Sequence, residues 1–180
     1  MTQALTAGLV LAAGEGRRFG GPKAPYVLEG ERLVDRAVRV LAEAGCEPVV
    51  VVLGAWIGDV PGADVVENPE WSEGMGSSLR AGLAALSERA DVDRAVVALV
   101  DLPGLSAEAV ARVRGADARL AQASYAGVPG HPVLLGCEHW AGVSASAHGD
   151  RGARDYLREH PPLLVEVGDV AAPDDLDTRP

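Results

Sequence analysis

Short apolar runs alternate with segments of helical periodicity along most of the 180-residue chain. Four runs, at 7–11, 48–53, 63–67 and 95–100, are rich in valine and short enough to be strands. Alternation of this kind is typical of a sheet that is covered by helices on both faces. We therefore predict an α/β protein, a three-layer α/β/α sandwich around a mostly parallel, Rossmann-like sheet.

Helices are predicted between these strands from apolar spacing and from capping residues. The first ends before Gly45, and its apolar positions are Leu33, Ala37, Val40, Leu41 and Ala44. Ser77 or Ser78 is expected to cap a helix over 77–89, and Ser106 a helix that runs to about Arg114.

The last third of the chain carries a weaker pattern. It predicts strands over 122–125 and 131–135 that need not be parallel, a helix over 150–160 with Asp150 as N-cap, and a strand over 163–167. The sequence contains no repeat and no linker-like segment. We therefore expect one domain over residues 1–180.

Composition and charge narrow the classes of partner. Hydrophobic residues make up 48% of the chain and aromatic residues only 4%, so the core is expected to consist of Val, Leu and Ala. A net charge of −10 argues against nucleic acid or an anionic membrane as partner, and no run approaches the ~20 apolar residues of a membrane span. Cys46 and Cys137 lack metal-site spacing and indicate reduced thiols, so we expect a cytoplasmic protein.

The segment 11–23 carries the strongest chemical signal. It follows the first predicted strand and places four glycines and three cations within ten residues. Glycines let backbone amides approach a ligand closely, and the cations offset negative charge, so the loop predicts a triphosphate site; the alternative is a flexible turn. Its GxGxxxG spacing departs from the dinucleotide fingerprint, and Lys23 precedes Ala24 where a P-loop needs Ser or Thr.

A carboxylate follows another predicted strand. Asp101 comes directly after the run 95–100 and is followed by Leu102 and Pro103. Ligands in open α/β sheets bind beyond the carboxyl ends of the strands, where a carboxylate can hold a Mg²⁺ that bridges phosphates. The same residues also suit a simple turn, so Asp101 alone leaves both interpretations open.

The glycine-rich loop resembles the LAAGxGxRxGxxK signature of the cytidylyltransferase-like nucleotidyltransferases. The matching positions are Leu11, Ala12, Ala13, Gly14, Gly16, Arg18, Gly20 and Lys23. The segment 68–80 is similar to the NPxWxxGMxxSL block of the molybdenum-cofactor cytidylyltransferase branch, which comprises MocA-like and MobA-like NTP transferases. Further blocks follow in that branch's order, at 101–103, 130–133, 149–154 and 175–178. The resemblance therefore covers nearly the whole chain.

This resemblance implies a nucleotidyltransferase fold and transfer of CMP from CTP to the phosphate of molybdopterin or its molybdenum-loaded form, with release of pyrophosphate. Catalysis is then expected from Arg18, Lys23 and Asp101. The implied nucleotide-binding residues are Leu11, Ala12, Ala13, Gly14, Gly16, Arg18, Lys23, Ser77 and Ser78. For the two serines, helix capping is the competing interpretation.

The resemblance also implies a Mg²⁺ cofactor, with Mn²⁺ as an alternative. Asp101 would hold the ion together with Asp175 or Asp177, although these two also suit a solvated acidic tail. The acceptor is expected to contact Trp71, His131 and Arg154. The competing interpretations are core packing for Trp71, a strand-entry turn for His131 and a charged helix start for Arg154.

The predicted base of the nucleotide donor depends on one residue position. The resemblance links Ala13 to cytidine, whereas glycine there is typical of the guanylyltransferase branch, which leaves GTP as the alternative donor. Other hypotheses are nucleotide transfer to a sugar phosphate or methylerythritol phosphate, a non-catalytic nucleotide-binding protein, and a dinucleotide oxidoreductase. Two departures, Gly76 and the apolar Leu102, put local contacts in doubt. A molybdoenzyme or chaperone is expected to receive the product.

Overall fold

A seven-stranded sheet forms the centre of the molecule in a computed structural model that describes residues 3–180. The strands, in chain order, are β1 (Leu5–Ala12), β2 (Val27–Leu28), β3 (Glu31–Arg32), β4 (Val49–Leu53), β5 (Asp64–Glu67), β6 (Val92–Leu99), β7 (Leu120–Tyr125), β8 (Val128–Gly136) and β9 (Leu163–Glu166). The sheet order is β5-β4-β1-β6-β8-β7-β9, and β2 and β3 form a separate small hairpin. Strand β8 runs antiparallel to both of its neighbours, whereas the other pairs of the large sheet are parallel.

Helices cover both faces of this sheet. They are α1 (Leu33–Glu43), α2 (Met75–Ser87), α3 (Ala107–Arg114), α4 (Cys137–Ser146) and α5 (Arg154–Glu159). One buried cluster joins α1 and α3 to the sheet, and a second joins α2 and α4 to its opposite face. The prediction of a three-layer sandwich with a mostly parallel sheet is therefore confirmed.

Strand β1 is buried on both faces, which explains its nearly unbroken apolar sequence. Val10 and Ala12 belong to the cluster beneath α1 and α3, while Leu9 and Leu11 belong to the cluster beneath α2 and α4. Because successive side chains of a strand point to opposite faces, this one strand supplies both cores.

Parallel pairing places the two chemical signals of the sequence side by side. In the register of β1 and β6, Leu11 lies opposite Leu99, and the Val100 amide donates to the Leu11 carbonyl at 3.1 Å. The glycine-rich loop after β1 and Asp101 after β6 therefore leave the sheet at the same edge. Strand β4 lies on the other side of β1, so this edge is a switch point of strand order, where open sheets bind ligands.

The predicted N-cap of helix α2 is wrong. Helix α2 begins at Met75 with Gly74 as N-cap, so neither Ser77 nor Ser78 caps it; the Ser77 hydroxyl instead donates to the Gly74 carbonyl at 2.8 Å. The expected cap at Ser106 is confirmed, since its hydroxyl accepts from the Ala109 amide at 3.1 Å.

The helix predicted over 150–160 is interrupted. A 3-10 turn, Gly149–Arg151, comes first, and Gly152 adopts a φ of 54° before α5 begins. Asp150 therefore does not cap α5. Its Oδ1 accepts from the Met75 amide at 3.4 Å, so this carboxylate lies at the N-terminus of α2.

The sequence pattern also missed helix α4. Its buried residues Trp140 and Val143, followed by Ala147, have helical spacing, but the polar and glycine positions between them weaken the signal. Among residues 3–180, the structure contains no helix that is long and apolar enough to cross a bilayer.

Candidate functional site

A cavity of about 480 Å³ opens at the carboxyl ends of β1 and β6. Most of the residues predicted to bind nucleotide line it. They are Leu11, Ala12, Ala13, Gly14, Gly16, Lys23 and Ser78, and they are joined there by Trp71 and Asp101. Arg18 and Ser77 are not part of the lining. The fold thus brings residues as distant in sequence as Leu11 and Asp150 to one concave surface.

The glycine-rich loop is closed by its own backbone. The Gly16 carbonyl accepts from the amides of Gly20 at 2.8 Å and Gly21 at 3.0 Å. Gly16 has a φ of 63°, and a side chain there would collide with the Gly21 carbonyl, so this position requires glycine. Around the Cβ position of Gly14, in contrast, the nearest 4 Å are open. Gly16 therefore shapes the turn, whereas Gly14 leaves space for a ligand.

Lys23 and Asp101 form an ion pair in the cavity wall. The Lys23 Nζ lies 2.9 Å from Asp101 Oδ2, and the two side chains are only 16% and 18% exposed. The other oxygen, Asp101 Oδ1, is buried and has no hydrogen-bond partner in the structure. A buried carboxylate oxygen is costly to leave unpartnered, so Asp101 has an unused position for a cation or a donor.

A second carboxylate also lies near the lysine. Asp177 Oδ1 is 4.0 Å from Lys23 Nζ, while Asp175 lines a different cavity described below. Within residues 3–180, no three acidic, histidine or cysteine side chains are grouped closely enough to form a complete metal site. Mg²⁺ at nucleotide sites is usually held by one or two carboxylates plus phosphate oxygens. The unpartnered Asp101 oxygen and the nearby Asp177 fit this type of donor set.

The two arginines of the loop are largely exposed, although Arg17 also lines the cavity. Arg18 is 83% exposed and lies 3.9 Å from Asp177, while Arg17 is 87% exposed and pairs with Glu15. Such exposed pairs are weak and leave the side chains free to turn. Arg18 therefore lies beside Asp177, and neither residue is part of the cavity lining.

The two serines of α2 join a buried network that centres on Asn68. The Asn68 side-chain amide donates to Ser77 Oγ at 2.9 Å and to Ser78 Oγ at 3.0 Å. The Ser77 hydroxyl proton is used on the carbonyls of Glu70 and Gly74. Ser78 lines the cavity and has no recorded acceptor for its own proton, so it can donate to a ligand. The structure therefore supports a packing role for Ser77 and leaves Ser78 as the serine that lines the cavity.

A second cavity of about 780 Å³ adjoins the first. Met75, Leu99 and Asp150 line both, so they form the boundary between them. The second cavity contains the predicted acceptor residues His131 and Arg154, together with Asp175, Tyr125, Arg151 and Arg158. Three arginines beside apolar side chains give this surface the character of a site for an anionic, partly apolar molecule.

Trp71 lies apart from the other predicted acceptor residues. It lines the first cavity, and its side chain packs so closely on Gly54 that a Cβ there would contact both Trp71 and Ala13. The structure thus places Trp71 beside Ala13, at the residues predicted to hold the nucleotide.

Burial lowers the pKa of His131. The positive charge of Arg154 lowers this pKa further, whereas the negative charge of Asp101 raises it and only partly offsets the burial. We therefore expect a neutral imidazole at pH 7, which can donate one hydrogen bond and accept another.

A pH-dependent loss of stability should follow from this partly buried histidine. An imidazole whose pKa is lower in the folded protein than the ordinary value of about 6.5 resists protonation, so the unfolded chain binds more protons. The free energy of unfolding is then expected to decrease as the pH falls below about 6.5. Urea unfolding at pH 7.5 and pH 5.5 measures this, with His131→Gln as comparison. An equal pH dependence in the variant would show that His131 is not the group responsible.

Three residues that contribute to the geometry of the site were not predicted as site residues from the sequence. Asn68 orders both serines, Asp150 lies at the boundary of the cavities, and Arg179 contacts the backbone of the glycine-rich loop. Asn68 and Asp150 lie within conspicuous sequence blocks, but neither block reveals which partner the side chain reaches. Arg179 carries no motif signal because its partners lie about 160 residues earlier.

The fold and the two adjoining cavities define a nucleotidyltransferase-type α/β protein. The model of the MobA-like NTP transferase domain matches residues 8–163. The chain therefore belongs to this family, and it is a nucleotidyltransferase of the MobA-like type.

Individual relatives differ in their named activities. The chain is 37% identical to the nicotine blue oxidoreductase of Paenarthrobacter nicotinovorans in an alignment 189 positions long, which covers 95% of this chain and 91% of that protein. It is 63% identical to a probable molybdenum cofactor guanylyltransferase of Opitutus terrae over 46 residues, 26% of this chain and 23% of that protein.

Solved structures share the fold along the whole chain. Rv0371c from Mycobacterium tuberculosis superposes with a TM-score of 0.80 at 27% identity and covers 99% of this chain and 95% of its own. A complex of the same protein with manganese gives a TM-score of 0.73 at 24% identity, over 96% and 94% of the two chains. The predicted nucleotidyltransferase fold is thus confirmed.

Proposed function

We propose that this protein transfers CMP from CTP to the terminal phosphate of a molybdopterin-type acceptor and releases pyrophosphate. The observation that carries the proposal is the environment of the Asp101 carboxylate. This carboxylate pairs with Lys23 in the wall of the cavity that the glycine-rich loop lines, and one of its oxygens is buried without a partner. A negatively charged oxygen held in this way suits a cation that accompanies a triphosphate.

The first cavity would hold the nucleotide. Backbone amides near Gly14 would approach the triphosphate through the open space at this residue, and Ser78 would donate to the nucleotide from the opposite wall. Lys23 lies at 2.9 Å from Asp101 and would move to the phosphate oxygens once a cation neutralises that carboxylate. Arg18, which is largely exposed, would turn inward to the departing pyrophosphate.

A divalent metal ion would be held by Asp101 and Asp177, and it would supply charge stabilisation at the bridging phosphate oxygens. The free Asp101 oxygen and the short distance of Asp177 from Lys23 support this assignment. The manganese complex of the structural relative Rv0371c also supports a divalent ion. Asp175 lies in the second cavity and is better placed to face the acceptor than the nucleotide.

The second cavity would hold the acceptor. Arg154, with Arg151 and Arg158, would bind its phosphate, while Tyr125 and the neutral His131 would contact its heterocyclic part. A phosphate oxygen is already ionised at neutral pH, so the attack needs alignment and charge stabilisation rather than a strong base. The boundary that both cavities share is where the two reactants would meet.

GTP is the second candidate donor. The 63% identity to a probable molybdenum cofactor guanylyltransferase over 46 residues supports it, whereas Ala13 beside Trp71 supports the smaller cytosine. Alanine and glycine at position 13 differ by one methyl group, which is worth only about 1–3 kcal/mol in a binding pocket. We therefore expect CTP and GTP to differ in their rates of transfer, with neither nucleotide excluded.

Release of pyrophosphate tests the proposal. The protein is incubated with Mg²⁺, molybdopterin and one of CTP, GTP, ATP or UTP, and pyrophosphate is measured together with the product's mass. We expect turnover with CTP at least about tenfold faster than with GTP, within the range that one methyl group permits. Faster turnover with GTP would reverse the base assignment, and binding without turnover would support a nucleotide-binding protein.

The relative named an oxidoreductase requires a separate arm of this experiment. NADH or NADPH replaces the nucleoside triphosphate, a two-electron dye acceptor replaces molybdopterin, and oxidation is followed at 340 nm. Because the loop lacks the dinucleotide spacing, we expect no cofactor oxidation above the rate without protein. Protein-dependent oxidation at rates above that of pyrophosphate release would favour the oxidoreductase activity.

A further inference from the structure

The C-terminal segment crosses the edge of the sheet where the proposed nucleotide site lies. The Ala172 amide donates to the Gly104 carbonyl at 3.2 Å, and the Leu176 amide donates to the Asp101 carbonyl at 2.9 Å. The segment thus follows the turn that begins at Asp101 before it reaches the glycine-rich loop.

Arg179 fastens this segment to the glycine-rich loop. Its Nε donates to the Phe19 carbonyl at 3.0 Å, and an Nη donates to the Gly20 carbonyl at 3.4 Å. The guanidinium also lies 5.3 Å from the ring of Phe19 and 5.5 Å from the ring of Tyr26, and these two rings meet edge to face at 4.7 Å. Two directed hydrogen bonds and two cation–π contacts converge on one side chain.

These contacts constrain two parts of the proposed site at once. Phe19 is buried, and the Lys23 ammonium lies 5.9 Å from the same ring that Arg179 covers. Two residues before Arg179, the Asp177 carboxylate lies 4.0 Å from Lys23 and 3.9 Å from Arg18. Fixing Arg179 therefore fixes both the far side of the loop and the distance of Asp177 from the lysine.

We propose that Arg179 is a positioning residue that holds the glycine-rich loop and Asp177 in the arrangement that binds the nucleotide and its metal ion. The inference rests on the proposed function in placing a nucleoside triphosphate in the first cavity and its metal ion at Asp177. Arg179 acts through the backbone of Phe19 and Gly20 and through Asp177, and it need not touch the nucleotide.

This role predicts a change in affinity rather than in the chemical step. If removal of the contacts lowers the population of the binding arrangement to about 10–20%, the apparent dissociation constant rises by about 5–10-fold, since it scales with the inverse of that fraction. Bound nucleotide restores the arrangement, so kcat should change less than about twofold. Lysine keeps the charge but cannot donate to both carbonyls in the fork geometry, so Arg179→Lys should recover only part of the affinity.

The test compares wild type with Arg179→Gln and Arg179→Lys. Calorimetry with MgCTP and MgGTP, without acceptor, gives the dissociation constants, and steady-state pyrophosphate release gives KM and kcat. Hydrogen–deuterium exchange reports the loop directly: peptides over 16–23 should exchange faster in Arg179→Gln, with α3 unchanged. Arg89→Gln is the matched control, since Arg89 pairs with Asp64 and lines neither cavity.

The possible outcomes separate this inference from the proposed function. If the wild type binds nucleotide but releases no pyrophosphate, the proposed transfer reaction is wrong. The role of Arg179 would then still be decided by the dissociation constants. Equal dissociation constants in wild type and Arg179→Gln would overturn the inference, whatever the exchange rates show. A fall in kcat at constant KM would overturn it as well, as would a wild type that binds neither nucleotide.

Discussion

Asp101→Asn is expected to reduce kcat/KM for nucleotidyl transfer by about 10³-fold, a loss typical for a major electrostatic contact to a transition state. Asparagine has the same shape but is neutral, and it offers one oxygen instead of two. Lys23 at 2.9 Å should attract that oxygen, which turns the amide NH₂ towards the position that the free Oδ1 occupies in the wild type. A donor would then replace the oxygen proposed to hold the metal ion.

Three measurements separate this effect from unfolding. Pyrophosphate release gives the activity, Mn²⁺ titration gives the metal affinity, and urea unfolding gives the stability. We expect the first two to fall together while the variant unfolds cooperatively. Asp117→Asn serves as control, because Asp117 is exposed and lines neither cavity. Wild-type activity in Asp101→Asn would show that the carboxylate is only a turn residue.

The centre of the sheet could be predicted because strands such as β1 and β4 are buried on both faces. In β1 and β4 nearly every position is apolar, so the strand runs stand out from the segments around them. The same pattern predicts that the glycine-rich loop and Asp101 both lie beyond the carboxyl ends of parallel strands. What the pattern could not supply was the order of the strands, and hence which loops meet.

Caps and side-chain partners were harder to predict because they depend on distant contacts. Ser77 satisfies every local rule for an N-cap, yet the helix starts two residues earlier and the serine bonds to Asn68 and Gly74 instead. Asp150 likewise satisfies the local rule, but its carboxylate reaches the N-terminus of α2, 75 residues earlier in the chain. Helix propensity and capping rules use only residues that are close in sequence. The positions of these side chains, in contrast, depend on packing between distant elements.

The contacts of the C-terminal segment illustrate the same limit within the candidate site. The pattern at 175–178 singled out Asp175 and Asp177 as equivalent candidates for the metal. In the fold they diverge: Asp177 lies beside Lys23, and Asp175 lines the neighbouring cavity. Their separation follows from the extended path of the segment, which hydrogen bonds at Asp101 and Gly104 determine.

Lys23→Ala is expected to lower kcat/KM by about 10²–10³-fold and yet to strengthen metal binding. The ammonium neutralises Asp101 in the absence of nucleotide, so it competes with a divalent ion for the same carboxylate. Its removal leaves the mostly buried carboxylate without a counter-charge, which should cost about 1–3 kcal/mol of stability without metal. Mn²⁺ should recover part of this loss, because it binds the folded state preferentially.

The two variants should change the affinity for Mn²⁺ in opposite directions, so a comparison of them tests the proposed competition directly. Asp101→Asn should bind Mn²⁺ more weakly than wild type and Lys23→Ala more tightly, although both lose transfer activity. Lys23 is the only lysine among the 180 residues, so selective ¹⁵N-lysine labelling gives a single side-chain signal. This signal should shift when Mg²⁺ and CTP are added, as the ammonium exchanges Asp101 for phosphate oxygens. Weaker Mn²⁺ binding in Lys23→Ala, or a signal unchanged by nucleotide, would contradict the competition between the lysine and the metal ion.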